Sequence, residues 1–251
     1  MTKYQMEMVV EKIKGQPDIT LRELIDEFSL GISESALCKR LKAMGLTLKK
    51  KTIRPVEQKR EDVHEKRKNW VETQQPQLDV HKVVFLDASS INLGMTRRYG
   101  RAFTNERAPD YEPDVRFQRK SILSTIRLDG RQVPFIFDGT LNKELFKAYV
   151  DEFLTPSLSE GDIVILDNSS VHTSKGVLDS ITDKGAIALF LPPYSPDFNP
   201  IEMLWSKIKA ILRRLKARTP EKLEDGLNYA LRCVTLKDIS NWFKYDGYAQ
   251  Q

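Results

Sequence analysis

The order of apolar patterns along the chain predicts a mixed α/β sheet with flanking helices, preceded by a small all-α domain. In the first 46 residues, apolar side chains recur at helical spacing. From residue 82 onward, short apolar runs typical of buried strands alternate with amphipathic segments. A chain of 251 residues accommodates one large domain and a small appendage. We place a helical domain at 1–46, a basic linker and connecting helix at 47–80, and the α/β domain at 81–251.

Three short helices are predicted in the N-terminal segment. The first ends before Pro17, and the second begins at Thr20, whose hydroxyl forms a capping box with Glu23. Ser33 caps the third helix, and Gly45 ends it in a left-handed conformation. This pattern indicates a helix-turn-helix, whose last helix would enter the major groove of DNA. A small three-helix bundle without a ligand is the alternative.

The basic excess of the chain is concentrated in its N-terminal part. The net charge is +5, and the stretch 39–54 holds seven basic residues and no acidic one. A charge run of this kind is often only a solvated helix face followed by a linker, but it also suits DNA phosphates. The predicted DNA contacts of this region are Ser35, Lys39, Arg40, Lys42, Lys49, Lys50, Lys51 and Arg54.

The composition excludes several classes of protein. The apolar runs are far shorter than the ~18–20 residues of a membrane span, so we expect no membrane partner. The N-terminus lacks the order of a secretory signal, and Cys38 and Cys233 are too few for a disulfide framework or a zinc site. We therefore expect a cytoplasmic protein.

The second domain is predicted to follow the order strand, hairpin, helix, strand, helix, strand, helix. A strand at 82–86 ends at Asp87, and Asp129-Gly130 marks the turn of a hairpin. The remaining predicted elements are hairpin strands at 121–128 and 132–137, helices at 142–158 and 175–184, strands at 162–166 and 186–191, and a helix starting at Pro200.

Three carboxylates stand at the ends of these elements. Asp87 and Asp167 each follow four apolar residues, so they converge if their strands are neighbours, and such a pair can hold Mg²⁺. Taken alone, each is more typical of a structural turn than of a catalytic site. Glu202 follows a proline-rich loop in the first turn of a helix that Asn199 can cap. It either completes that cap or is held over the sheet edge as a functional carboxylate.

Four blocks of sequence resemble the catalytic core of mariner-superfamily DDE transposases, in their bacterial insertion-sequence branch. Between Asp167 and Glu202 lie 34 residues, the spacing expected of that branch. The blocks are FLD at 85–87, NLGMTRRYGR at 92–101, LDNSSVH at 166–172 and LPPYSPDFNPIEMLW at 191–205.

The resemblance implies an RNase H-like fold and a transposase that cuts and rejoins DNA. Asp87, Asp167 and Glu202 would hold two Mg²⁺ ions, for which Mn²⁺ can substitute, and no side-chain nucleophile would be needed. Implied partners are the double-stranded DNA of the transposon terminal repeats and of a target with a TA dinucleotide, bound by a homodimer in the bacterial nucleoid. Further candidates for DNA contact are Arg97, Arg98, Arg101 and His172. The arginines are alternatively exposed strand residues, and the histidine part of a satisfied turn.

Two departures from the family pattern accompany this resemblance. Ala88 follows the first Asp where many relatives have Glu or another polar residue. Full-length relatives carry two helix-turn-helix units, and this chain corresponds to a start near the second. The rival interpretations are a transposase-derived DNA-binding regulator that no longer cleaves and a junction resolvase. All three carboxylates are present, which argues against the regulator, and the helix-turn-helix argues against the resolvase.

Overall fold

A computed structural model describes residues 2–49, 51, 55–113 and 119–248 of the chain. It divides into two compact units, Met1–Arg54 and Pro55–Gln251, which are treated separately below. Two of the predicted DNA contacts, Lys50 and Arg54, lie outside the described residues. None of the helices in the described ranges is both long and apolar enough to cross a membrane.

The first unit contains the three predicted helices. They are α1 (Lys3–Gly15), α2 (Leu21–Glu27) and α3 (Glu34–Ala43). The Thr20 and Glu23 capping box is present, and the Ser33 hydroxyl accepts a hydrogen bond from the Ala36 amide at 3.2 Å. Gly45 has a φ of 81°, the left-handed conformation predicted from its place after α3. The buried core of this unit consists of Val9, Leu24, Leu30, Leu37 and Leu41.

The second unit is built on a five-stranded mixed sheet. Its strand order is β3-β2-β1-β4-β5, in which β1 pairs antiparallel with β2 and parallel with β4, so the predicted mixed sheet is confirmed. The strands are β1 (Val83–Asn92), β2 (Arg119–Ile126), β3 (Phe135–Asp138), β4 (Ile163–Leu166) and β5 (Ile187–Phe190). The helices are α4 (Glu61–Asn69), α5 (Lys143–Tyr149), α6 (Thr155–Ser157), α7 (Lys175–Thr182), α8 (Ile201–Leu215), α9 (Pro220–Arg232) and α10 (Leu236–Tyr245).

Alternating side chains of the central strands build a core on each face of the sheet. Phe85 on β1 and Ile165 on β4 point into one core with residues of α8, α9 and α10. Val84 and Val164 point into the other, which contains residues of α5 and α7. Trp70, in the π-helical turn that continues α4, is fully buried in the first core. The connecting helix predicted within 47–80 is therefore packed into the second unit.

Strand β1 differs from its predicted extent in a way that affects the site. It continues to Asn92, so the expectation that the strand ends at Asp87 is wrong. The physical reason is its pairing with β2, which extends from Phe85 to Asn92, whereas β4 stops at Leu166. Phe85 and Ile165 are register partners, and two residues further along Asp87 lies level with Asp167. Asp87 is thus the residue at which β1 loses its parallel neighbour.

The hairpin turn is confirmed at Gly130, which has a φ of 90° and donates its N–H to Arg127. Strand β3 begins at Phe135, later than the predicted residue 132, because the residues after the turn bond elsewhere. The Val133 amide, for example, donates to the Thr125 hydroxyl. The predicted helix at 142–158 is present, with Asn142 as its cap, and its middle part at Val150–Leu154 is π-helical.

Candidate active site

The three predicted carboxylates line one cavity. Asp87 comes from the middle of β1, Asp167 follows the end of β4, and Glu202 is in the first turn of α8. The cavity has a volume of about 440 Å³, and the proline-rich loop at 191–199 lines it together with the carboxylates. Side chains that are far apart in the sequence therefore meet at the edge of the sheet where β4 ends.

Asp87 is held by two hydrogen bonds. Its Oδ1 accepts from the Ala88 amide at 2.7 Å, and its Oδ2 accepts from the Trp205 indole Nε1 at 3.1 Å. Burial raises the pKa of Asp87 to about 7, and the negative charge of Glu202 acts in the same direction. Trp205 is a buried residue of α8. Its N–H in fact connects this helix to the carboxylate on β1.

Asp167 is held by His172. The histidine Nδ1 lies 2.5 Å from Asp167 Oδ1, and the Ser169 amide donates to the same oxygen at 2.9 Å. Burial acts to raise the pKa of Asp167, but the hydrogen bond and charge of His172 outweigh it and hold the pKa below its ordinary value. His172 is only 3% exposed, and its ring packs 4.5 Å from that of Phe146. The predicted contact of His172 with DNA phosphate is therefore wrong in this arrangement, because the ring faces the protein interior.

Glu202 is presented by a loop that leads into α8. The helix begins at Ile201, Pro200 stands at the cap position, and no side chain caps the helix, so the predicted capping role of Asn199 is wrong. Instead, the Glu202 amide donates to the Asn199 carbonyl at 3.0 Å. Burial raises the pKa of Glu202, an effect that the Asp167 charge reinforces and the Lys209 charge opposes.

Arg67 of α4 fastens the loop that carries Glu202. Its guanidinium forms a two-pronged ion pair with Asp197 at 3.0 and 2.7 Å and donates to the Ser195 hydroxyl at 2.7 Å. It also stacks 4.3 Å above the Phe198 ring. From the other side, the Tyr248 hydroxyl donates to the Phe198 carbonyl at 2.6 Å. The sequence pattern gave no signal for Arg67, because α4 has the composition of a solvated helix.

The donor set of this cavity fits a hard divalent cation. Three carboxylates supply the oxygen ligands that Mg²⁺ and Mn²⁺ accept. Burial raises the pKa of Asp87 and Glu202 and repulsion between the carboxylates adds to it, and a bound cation relieves that repulsion. Within the described part of the chain, no three acidic, histidine or cysteine side chains form a closed ligand set as they stand. Two of the carboxylates are held by protein donors, Trp205 and His172, instead.

The predicted DNA contacts of the first unit are on its surface. The exposed residues are Ser35, Lys39, Arg40, Lys42 and Lys49. Lys51 is also exposed and forms an ion pair with Asp18 at 2.6 Å. In the second unit, Arg97, Arg98 and Arg101 are exposed on the irregular segment after β1, so the alternative of exposed strand arginines is wrong. Arg98 pairs with Glu112 at 3.3 Å.

The chain belongs to a known family of nucleases. Residues 82–224 match the family described as DDE superfamily endonuclease, which covers more than half of the chain and includes all three carboxylates. The chain is 25% identical over 109 residues to the Tc1 transposable element transposase of Caenorhabditis elegans and 23% identical to the Tcb2 transposase of Caenorhabditis briggsae. Each match covers 43% of this chain and spans only 40% of the relative's length.

Solved structures of Mos1 transposase share the fold. Its paired-end complex with the left transposon end superposes with a TM-score of 0.74 at 18% identity, over 95% of this chain and 74% of that one. Its strand transfer complex gives a TM-score of 0.70 at 18% identity, over 95% and 73%. The likeness confirms the predicted RNase H-like fold.

Proposed function

We propose that this chain is a transposase that binds transposon-end DNA, cleaves it in a metal-dependent reaction and transfers the freed strand to a target. The observation that carries this proposal is the single cavity lined by Asp87, Asp167 and Glu202 in a DDE superfamily endonuclease. The names of the Tc1, Tcb2 and Mos1 relatives support the extension from nuclease to transposase.

Asp87, Asp167 and Glu202 would hold the catalytic metal, and we propose two Mg²⁺ ions, with Mn²⁺ as a substitute. The ions supply activation of water and stabilisation of the attacking and leaving oxygens of an in-line displacement. His172 and Trp205 orient Asp167 and Asp87, so that these carboxylates are already placed when the metal arrives. Mos1 structures that contain Mn and Mg support the choice of ions.

The first unit is proposed to read the DNA. The exposed side chains of Ser35, Lys39, Arg40 and Lys42 on α3 would face the major groove, and the following basic residues would contact phosphates. We further propose double-stranded terminal repeats and a TA target as the DNA, a homodimer as the active form, and a bacterial insertion sequence as the source. The Mos1 paired-end complex supports the pairing of two ends.

The test is cleavage of a plasmid that carries the inverted repeats flanking the gene. Asp87→Asn, Asp167→Asn and Glu202→Gln should each abolish Mg²⁺- and Mn²⁺-dependent cleavage while leaving DNA retention in a gel shift unchanged. Asp183→Asn is the matched control, because Asp183 is exposed outside the cavity. Cleavage by Asp167→Asn at the unsubstituted rate would contradict the proposal. Binding without any cleavage by the unsubstituted chain would indicate a DNA-binding regulator instead.

A further inference from the structure

A second cavity adjoins the candidate active site. It has a volume of about 310 Å³ and shares Glu202 with the first cavity. The polar residues that line it besides Glu202 are Ser89, Ser90, Arg119, Ser121, Thr140 and Lys209. We call this cavity the Lys209 groove. None of the proposed catalytic roles uses these other side chains.

The fold explains why these side chains converge. Ser89 and Ser90 lie on the part of β1 beyond Asp87, and Arg119 is the first residue of the antiparallel neighbour β2. Lys209 follows Glu202 by seven residues on α8, and seven residues are two helical turns, which places both side chains on the same face. The Lys209 groove therefore adjoins the candidate active site at Glu202.

The charge of the groove is unbalanced. Within the described part of the chain, neither Lys209 nor Arg119 forms an ion pair or a side-chain hydrogen bond. Lys207, two residues earlier on α8, is by contrast neutralised by Asp238. Lys209 is also partly buried. Two cations face one carboxylate here, and a metal bound to Glu202 would leave the groove with a net positive charge.

We propose that the Lys209 groove binds a backbone phosphodiester of the DNA strand next to the linkage that is cut. This inference rests on the proposed function, since the strand is the substrate of the adjoining carboxylates. A phosphodiester carries one negative charge and accepts hydrogen bonds, which matches two cations without an ion-pair partner among the described residues and the polar residues around them. Lys209 and Arg119 hold this flanking phosphate and thereby fix the register of the strand.

The experiment couples a change in the protein to a change in a single DNA linkage. The cut site is first mapped with the unsubstituted chain in Mg²⁺. Oligonucleotides with a neutral methylphosphonate at each successive linkage near that site are then titrated in Ca²⁺, and affinity is measured by fluorescence anisotropy. The proteins compared are the unsubstituted chain, Lys209→Gln, Lys209→Arg and the control Arg213→Gln. Arg213 is exposed on the same helix but outside the groove, so the control removes the same charge.

The unsubstituted chain should lose about five-fold in affinity when one linkage beside the cut is neutral. Lys209→Gln should lose a similar factor on unmodified DNA and less than about two-fold more with that neutral linkage, because only Arg119 then remains to contact it, whereas Lys209→Arg and Arg213→Gln should keep the full sensitivity. If the loss of affinity from Lys209→Gln and the loss from the neutral linkage multiply at every linkage tested, the groove does not bind the backbone and the proposal is overturned. Carboxylate-dependent cleavage is measured separately, so a failure of the groove is distinguishable from a failure of the proposed transposase.

Discussion

Replacing Arg67 by Ala tests how the protein positions Glu202. The substitution removes the two-pronged ion pair with Asp197, the hydrogen bond to Ser195 and the stacking on Phe198. Glu202 itself is not touched by these contacts. The loop that contains them leads directly into α8, however, so its loosening gives the first turn of that helix, with Glu202, greater freedom.

The expected loss of stability in Arg67→Ala follows from the exposure of the Arg67–Asp197 ion pair. The Arg67 side chain is 14% exposed and that of Asp197 33%, so the pair is partly shielded from water. Hydrogen bonds to charged groups contribute ~1.5–3 kcal/mol, and with a discount for solvent screening we expect a loss of about 2 kcal/mol in unfolding free energy. A misplacement of about 1 Å at a catalytic group can cost ~10²-fold in rate, so kcat should fall by one to two orders of magnitude.

Urea unfolding and single-turnover cleavage measure the two effects. The matched control is Arg60→Ala, which removes an exposed ion pair with Asp62 and should leave both the unfolding free energy and cleavage nearly unchanged. Arg67→Lys should restore part of the stability and little of the rate, because an ammonium group cannot form the two-pronged contact. A normal cleavage rate in Arg67→Ala would refute the positioning role, even if the protein were less stable.

Three further results are expected. Asp87→Asn should stabilise the metal-free chain in urea at pH 8 but not at pH 4. The reason is that folding raises the pKa of Asp87 from 3.8 to about 7, so between these pH values the ionised carboxylate increasingly destabilises the folded chain, by at most about 4 kcal/mol. Equal gains in unfolding free energy at pH 4 and pH 8 would contradict this explanation. His172→Gln should lower cleavage and Mg²⁺ affinity by about 10- to 100-fold, since Asp167 loses its partner, and an unchanged affinity would argue against this role. Arg127→Met should lower the unfolding free energy in urea by about 3–5 kcal/mol, because it leaves the carboxylate of Asp162 buried without its ion-pair partner. A loss below about 1 kcal/mol would exclude a stabilising role for this ion pair.

Local sequence signals were sufficient to predict several caps, turns and buried strands. A capping box at Thr20 and Glu23 needs only two side chains and the neighbouring backbone, and it is present as predicted. The turn at Gly130 is likewise a property of two or three residues. The four-residue apolar runs before Asp87 and Asp167 correctly indicated buried strands, because strands covered on both faces have no polar positions, and the structure shows that the two strands are neighbours.

Contacts between residues far apart in the chain determine the features that the sequence pattern did not predict. The end of β1 depends on β2, whose pairing with β1 extends the strand from Asp87 to Asn92. The direction of the His172 ring depends on Phe146, which packs against it from a helix that precedes it by 26 residues. Basic residues recur along α8 and just after it, but Lys207 and Lys216 are paired with Asp238 and Asp110. Charge in a sequence does not reveal which charges the fold neutralises.

The last of the four sequence blocks, at 191–205, has a physical explanation in the structure, because its residues contact Asp87 and the neighbour of Asp167. Its first residue, Leu191, accepts a hydrogen bond from Asn168, the neighbour of Asp167. Its middle part is fastened by Arg67, and its last residue, Trp205, donates to Asp87. Glu202 lies between these two anchors. Since one continuous stretch touches the surroundings of both aspartates and also supplies the third carboxylate, a change anywhere in it alters the arrangement of all three.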